Sequence, residues 1–109
     1  MAYDLGLAAR LEVLLSGRPG YQQKKMFGSI GWMLNGNMCV AVWKDSLIAR
    51  VGVTTEKQLR SNPHLKPFDI TGKPMKGWVM ISPQGIDKDR DLEKFVQLAE
   101  GFVKTLPKK

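Results

Sequence analysis

Between Gly28 and Val51 the chain offers three short runs rich in aliphatic, aromatic and methionine residues, broken at Asn35-Gly36 and at Lys44-Asp45. Asn-Gly is the two-residue connection whose positive φ angles best match the twist of paired strands. The segment therefore reads as a three-strand meander, and the remaining elements have to be arranged around it. Lys44-Asp45 supplies the second connection, although neither residue is glycine. If both loops have two residues, Trp32 lies opposite Cys39 and Cys39 opposite Arg50, while Met33 lies opposite Met38 and Met38 opposite Val51. Alternation then puts Met33, Met38, Val40, Val42, Leu47, Ala49 and Val51 on one apolar face for helices to cover. Ile30, Trp32, Cys39, Ala41, Trp43, Ile48 and Arg50 fall on the other.

The flanks supply the helices. Leu7, Leu11, Leu14 and Leu15 recur at helical spacing, so residues 4–16 form an amphipathic helix that Asp4 can cap and Gly17 can end. YQQKK, after Gly17, Pro19 and Gly20, reads as a polar approach to the first strand. Thr54, Thr55 and Glu56 open a short helix with Leu59 inward, which Asn62-Pro63 stops. Phe68 to Ile70 is expected as a brief strand, Thr71 to Pro74 as a turn, and Met75 to Ser82 as a strand ending at Pro83. Leu92, Phe95, Val96, Ala99, Phe102, Val103 and Leu106 mark a long packing helix, with Asp87, Asp89, Asp91 and Glu93 at its positive end and Pro107 after it. The expected order is α-β-β-β-α-β-β-α in a single domain spanning 1–109, of α+β class, with two layers and an antiparallel sheet of about five strands.

Little in this sequence points to catalysis. One cysteine, Cys39, excludes an internal disulfide, and with one histidine, His64, there is no zinc-ligand set. His64 reads as a surface loop residue and Cys39 as a small buried hydrophobe without a base beside it. Gly28, Gly31 and Gly36 match neither a dinucleotide fingerprint nor a phosphate loop. No catalytic residue, metal or cofactor is expected; an enzyme would need a pocket joining Cys39, Arg50 and Asp69. No apolar run approaches the roughly 18 residues of a membrane span, and Asp4, Arg10 and Glu12 interrupt any signal-peptide core, so a cytoplasmic location is expected.

The formal net charge is +7, and no acidic residue stands between Glu12 and Asp45. Such an excess attracts nucleic acid or serves solubility. Lys24, Lys25, Lys73 and Lys76 are the candidate basic surface. In KPFDITGKPMKGWVMI, residues 66–81, Lys73 and Lys76 flank Gly72, Pro74 and Gly77 beside Trp78. Two lysines and one indole make a sparse nucleic-acid site, so the stretch reads as scaffold.

KKMFGSIGWMLNGNMCVAVWKDSLIARVG followed by KPFDITGKPMKGWVMI resembles the N-terminal domain of the TfoX/Sxy family of bacterial competence regulators. The residues that carry the resemblance are Lys25-Met26-Phe27-Gly28, Arg50-Val51-Gly52, Pro67-Phe68-Asp69 and Pro74-Met75-Lys76-Gly77-Trp78. It implies a secretion-chaperone-like fold, with a sheet packed by helices on one face. It also implies a non-enzymatic regulatory role, in which full-length members promote competence-gene expression together with the cyclic-AMP receptor protein. Full-length members carry a C-terminal domain that this chain, ending at LPKK, is expected to lack. The family positions Met26, Phe27, Gly28, Arg50, Phe68, Pro74, Met75, Lys76, Gly77 and Trp78 are expected to be structural.

Two functions follow as expectations. The first is a regulatory module that binds a protein partner, or a second copy of itself as a homodimer, through the uncovered sheet face bearing Trp32, Trp43, Ile48 and Arg50. The alternative is sequence-independent nucleic-acid binding by the basic surface.

Overall fold

The structure is a computed structural model and describes residues 3–26, 28–67 and 76–108. Its elements are α1 (Leu5–Leu15), β1 (Tyr21–Met26), β2 (Ser29–Leu34), β3 (Asn37–Trp43), β4 (Ser46–Arg50), α2 (Val53–Leu59), β5 (Leu65–Pro67), β6 (Trp78–Ile81) and α3 (Asp89–Val103), with a 3-10 turn at Pro83–Gly85. The strands form one antiparallel sheet in the order β1-β2-β3-β4-β6-β5. The class is α+β, as expected, with one strand more than the sequence suggested.

Helix α1 begins where Asp4 caps it, its carboxylate accepting from the Gly6 and Leu7 amides at 2.8 and 3.4 Å. Its buried side chains, Leu7, Ala8, Leu11 and Leu15, recur along one side. Helix α3 carries Asp89 and Asp91 in its first turn, where the helix dipole favours them, and buries Leu92, Phe95, Val96, Ala99 and Val103. It ends at Val103, short of Pro107, because the chain turns there: the Thr105 hydroxyl donates to the Phe102 carbonyl at 2.6 Å. Arg10 ties α1 to the start of α3, donating from Nη2 to the Ile86 carbonyl at 2.7 Å and pairing with Asp89 at 3.1 Å.

Both long helices share one core with Ile30, Trp32, Leu34, Cys39, Val40, Val42, Leu47, Ala49, Val51, Val79 and Ile81, and Leu59 of α2 packs against it. These strand residues lie on one face of the sheet. Ala41 and Ile48, opposite each other on the other face, are buried too but belong to no such cluster. Among the described residues all three helices therefore sit on the same side, and the second side is called the open face below.

The turn at Asn35-Gly36 is as expected, with φ of 54° and 85°, and it sets Met33 opposite Met38. Beyond that pair the register differs from the one read in the sequence. Trp32 faces Val40, not Cys39, because the ladder shifts between Trp32 and Met33 and leaves Cys39 as an extra residue in β3. This is a β-bulge, and it moves side chains between faces. Trp32, Ile30 and Cys39 join the helix-covered core, while Met33 and Met38 go to the open face. Gly31 makes room for the distortion: a Cβ there would stand 2.8 Å from the Met38 sulfur. Between β3 and β4 the expected register holds, with Ala41 opposite Ile48 and Trp43 opposite Ser46.

The extra strand is β1. YQQKK is an edge strand, not an approach to one, and it pairs with β2 over its whole length. At the other edge β5 occupies Leu65–Pro67; the strand expected at Phe68 to Ile70 and the turn at Thr71 to Pro74 lie outside the described residues. Strands β4 and β5 run parallel, joined by α2, with β6 antiparallel between them. No helix among the described residues is long and apolar enough to cross a membrane.

Candidate interaction surface

The helix-covered side is closed and its polar groups are spoken for. Trp32 is 2% exposed, and its indole Nε1 donates to Glu12 Oε2 at 3.3 Å, an oxygen that also accepts from Gln23 Nε2. Trp32 is thus a strut between α1 and the sheet and does not share a face with Trp43 and Ile48. The Tyr21 hydroxyl donates to Glu100 Oε1 at 2.9 Å and lies 3.9 Å from the Cys39 sulfur, while Arg18 and Lys104 each approach Glu100 within 3.7 Å. Burial pushes the Cys39 thiol up to about 12, a rise the Tyr21 hydrogen bond only moderates. Burial likewise raises Tyr21, with the neighbouring Cys39 and Glu100 adding to it. At neutral pH Cys39 is a protonated thiol held in a core, which is the opposite of an activated nucleophile. Among the described residues no three His, Cys, Asp or Glu side chains come together to hold a metal. Asp69 lies outside them.

The open face is built from alternate residues of each strand: Gln22 and Lys24 on β1, Gly31 and Met33 on β2, Met38, Ala41 and Trp43 on β3, Ile48 on β4, Met80 on β6 and Lys66 on β5. Its middle is apolar and its two edges are lysines. Lys44, just after β3, places its Nζ 4.6 Å from the centroid of the Trp43 ring. Arg50 does not sit among the apolar residues. Its guanidinium lies 5.4 Å from the Trp78 ring and 5.9 Å from that of Phe102 on α3, at the end of the sheet. Of the four residues expected to share a face, Trp43 and Ile48 do, Arg50 borders them, and Trp32 is on the other side.

The candidate basic residues do not converge. Lys24 and Lys25 are exposed on β1 and Lys76 is exposed just before β6, four strand spacings away, or about 19 Å. Lys73 lies outside the described residues. His64 is half-buried in the turn before β5, its backbone amide donating to Asn62 Oδ1 at 2.9 Å.

Behind Arg50 the backbone is tightly tied. The Gly77 carbonyl accepts from both the Val51 and Gly52 amides, at 2.9 and 3.0 Å, and the Gly77 amide donates to Glu56 Oε1 at 2.8 Å. Gly52 and Gly77 both have positive φ, 88° and 85°. A Cβ on Gly52 would stand 2.6 Å from the Phe102 ring, and one on Gly77 would meet the Gly52 backbone at 3.4 Å. Beside this junction a cleft of about 390 Å³ lies between α2 and α3, lined by Val53, Thr54, Thr55, Gln97, Leu98 and Phe102 among others. None of its lining side chains is titratable, so it offers no acid or base.

One family model, the TfoX N-terminal domain, matches residues 13–103, from within α1 to the last turn of α3. The chain belongs to the TfoX N-terminal domain family. No curated protein and no solved structure gives a significant match. Several positions that carried the resemblance meet in this TfoX N-terminal domain although they are far apart in sequence: Arg50, Gly52, Gly77 and Trp78 form the junction just described. Gly28, with φ of 75°, turns the chain between β1 and β2. Met26 closes β1, while Phe27, Phe68, Pro74 and Met75 lie outside the described residues. What sequence reasoning missed in this TfoX N-terminal domain is the methionine set of the open face, Met33, Met38 and Met80, and the lysine Lys66 beside it. The one signal was Gly31, a glycine inside a strand, which marks bulges.

Proposed function

We propose that this TfoX N-terminal domain is a non-enzymatic, competence-regulator-like module that works in the cytoplasm, in control of transcription, by holding a protein partner on the open face of its sheet. The observation that carries this reading is the half-buried apolar set Met33, Met38, Trp43 and Met80, packed around the buried Ile48 on a face that no described helix covers. Aromatic residues and methionine are enriched at the centres of protein interfaces, and the unbranched thioether adapts to the shape of what it touches. A second copy of the chain fits this face less well than a different protein, because Lys24, Lys66 and Arg50 would be brought together with their own copies. The test is a photo-crosslinking amino acid at Trp43, irradiated in the native cytoplasm. A discrete adduct with another protein is expected, lost when Met80→Glu is added; an adduct with a second copy would replace the partner by a homodimer, and no adduct would remove the reading.

A second reading, sequence-independent nucleic-acid binding, is favoured by the exposure of Lys24, Lys25 and Lys76. Titration with duplex and single-stranded DNA at about 50 and 200 mM salt decides it, since such binding weakens steeply over that range.

A further inference from the structure

The charges of this protein are sorted between its two layers. Among the described residues, the strands contain four cations, Lys24, Lys25, Arg50 and Lys66, and no carboxylate. Most of the acids are elsewhere: Asp4 caps α1, Glu12 lies within it, Glu56 is in α2, and Asp87, Asp89, Asp91, Glu93 and Glu100 lead into or belong to α3, while Asp45 stands in the turn between β3 and β4, accepting from the Ser46 hydroxyl at 3.1 Å, and Asp69 lies outside the described residues. Several of these acids are paired within or beside the helix layer. Arg10 pairs with Asp89, Arg18 with Glu93 and Glu100, and Lys104 with Glu100. Among the described residues, no ion pair involves Lys24, Lys44, Arg50 or Lys66. The open face is thus an apolar centre with cations at both edges and at both ends, with Asp45 beside Lys44 in the β3–β4 turn and, among the described residues, no carboxylate in any of its strands.

We infer that the segment held on this face is an acidic one, a stretch of polypeptide whose apolar side chains are flanked by Asp and Glu. This rests on reading the open face as a protein-binding surface. An apolar centre rimmed by unpaired cations complements that pattern, because partner carboxylates reach Lys24, Lys44 and Lys66 while the apolar side chains meet Met33, Met38 and Met80. Nucleic acid offers the same negative charge but fits less well. Base stacking needs a bare aromatic face, and the Trp43 ring already carries the Lys44 ammonium at 4.6 Å, with the Arg50 guanidinium 5.4 Å from the Trp78 ring. The half-buried thioethers Met33, Met38 and Met80 on the same face match apolar side chains better than sugars.

The inference is tested with three labelled probes: an amphipathic peptide with Leu and Phe on one side and Glu on the other, its twin with every Glu replaced by Lys, and an oligo-deoxythymidine. Binding is followed by fluorescence anisotropy. The acidic peptide is expected to bind about tenfold or more tightly than its basic twin, a preference that shrinks between about 50 and 200 mM salt. The double variant Lys24→Glu with Lys66→Glu is expected to abolish it, and Arg90→Glu with Lys94→Glu, the same change in net charge on α3, to leave it in place. Circular dichroism confirms that both variants fold. Equal binding of the two peptides, failure of the acidic one to bind at about 1 mM, a preference indifferent to Lys24 and Lys66, or tighter binding of the oligonucleotide each overturns it. The photo-adduct at Trp43 is independent of these probes, so a partner trapped there while the acidic peptide fails removes only the acidic character.

Discussion

Gly52 joins β4 to α2 with φ 88° and ψ 158°, a region that residues with a Cβ scarcely enter. The Phe102 ring blocks that Cβ as well. Strain and overpacking each cost on the order of 1–3 kcal/mol. Gly52→Ala is expected to lower stability by about 3 kcal/mol in chemical denaturation, and pairing it with Phe102→Ala should recover only the packing part. Cys39 yields a second expectation at this scale. A thiol raised from 9.0 to about 12 by burial contributes stability that is complete below pH 9 and is lost as pH climbs toward 12, because the unfolded chain releases that proton first. The melting temperature should therefore fall through this alkaline window, and less steeply in Cys39→Ala, with Tyr21 supplying the remaining slope. The burial of Cys39 was legible in the sequence, whereas the need for a glycine at position 52 was not, since it comes from a positive φ and from the Phe102 ring, fifty residues away. The true neighbour of Trp32 was not, because a bulge at Cys39 depends on how Met38 packs over Gly31, a contact that no local pattern encodes.

At the scale of elements, legibility followed burial. Helix α3 shows its apolar stripe because one side of it faces a core and the other water, so its period survives in the residues. The hairpin at Asn35-Gly36 shows because its backbone needs positive φ. Strand β1 has neither sign. As an edge strand with Gln22, Gln23, Lys24 and Lys25 exposed, it is held mainly by its ladder to β2, and hydrogen bonds between backbones leave no mark on side-chain identity. The two faces of the sheet were legible as kinds of surface, one for helices and one not. Their membership was half right, since a single inserted residue exchanges every side chain on the far side of it. The candidate surface kept Trp43 and Ile48 and lost Trp32 for that reason alone.

For the molecule as a whole, a net charge of +7 says less than where it sits. A protein whose helices carry more acids than bases and whose described strands carry only cations should meet a negatively charged matrix through its sheet. Lys24→Glu with Lys66→Glu is expected to elute earlier from a cation exchanger than Arg90→Glu with Lys94→Glu, though both remove the same charge; coincident elution would show that the layers are not electrically distinct. The placement of β6 between β4 and β5 has a consequence of another kind, for the order in which the chain can assemble. During synthesis β1 to β4 emerge in sequence and can zip as hairpins, and α1 waits beside them with its leucines unmatched. The free edge of β4 finds its partner only when residues 78–81 arrive, and the core shuts only when α3 follows. However early the first four strands pair, the side of the sheet that the helices cover stays wet until α3 brings Leu92, Phe95, Val96, Ala99 and Val103 to it.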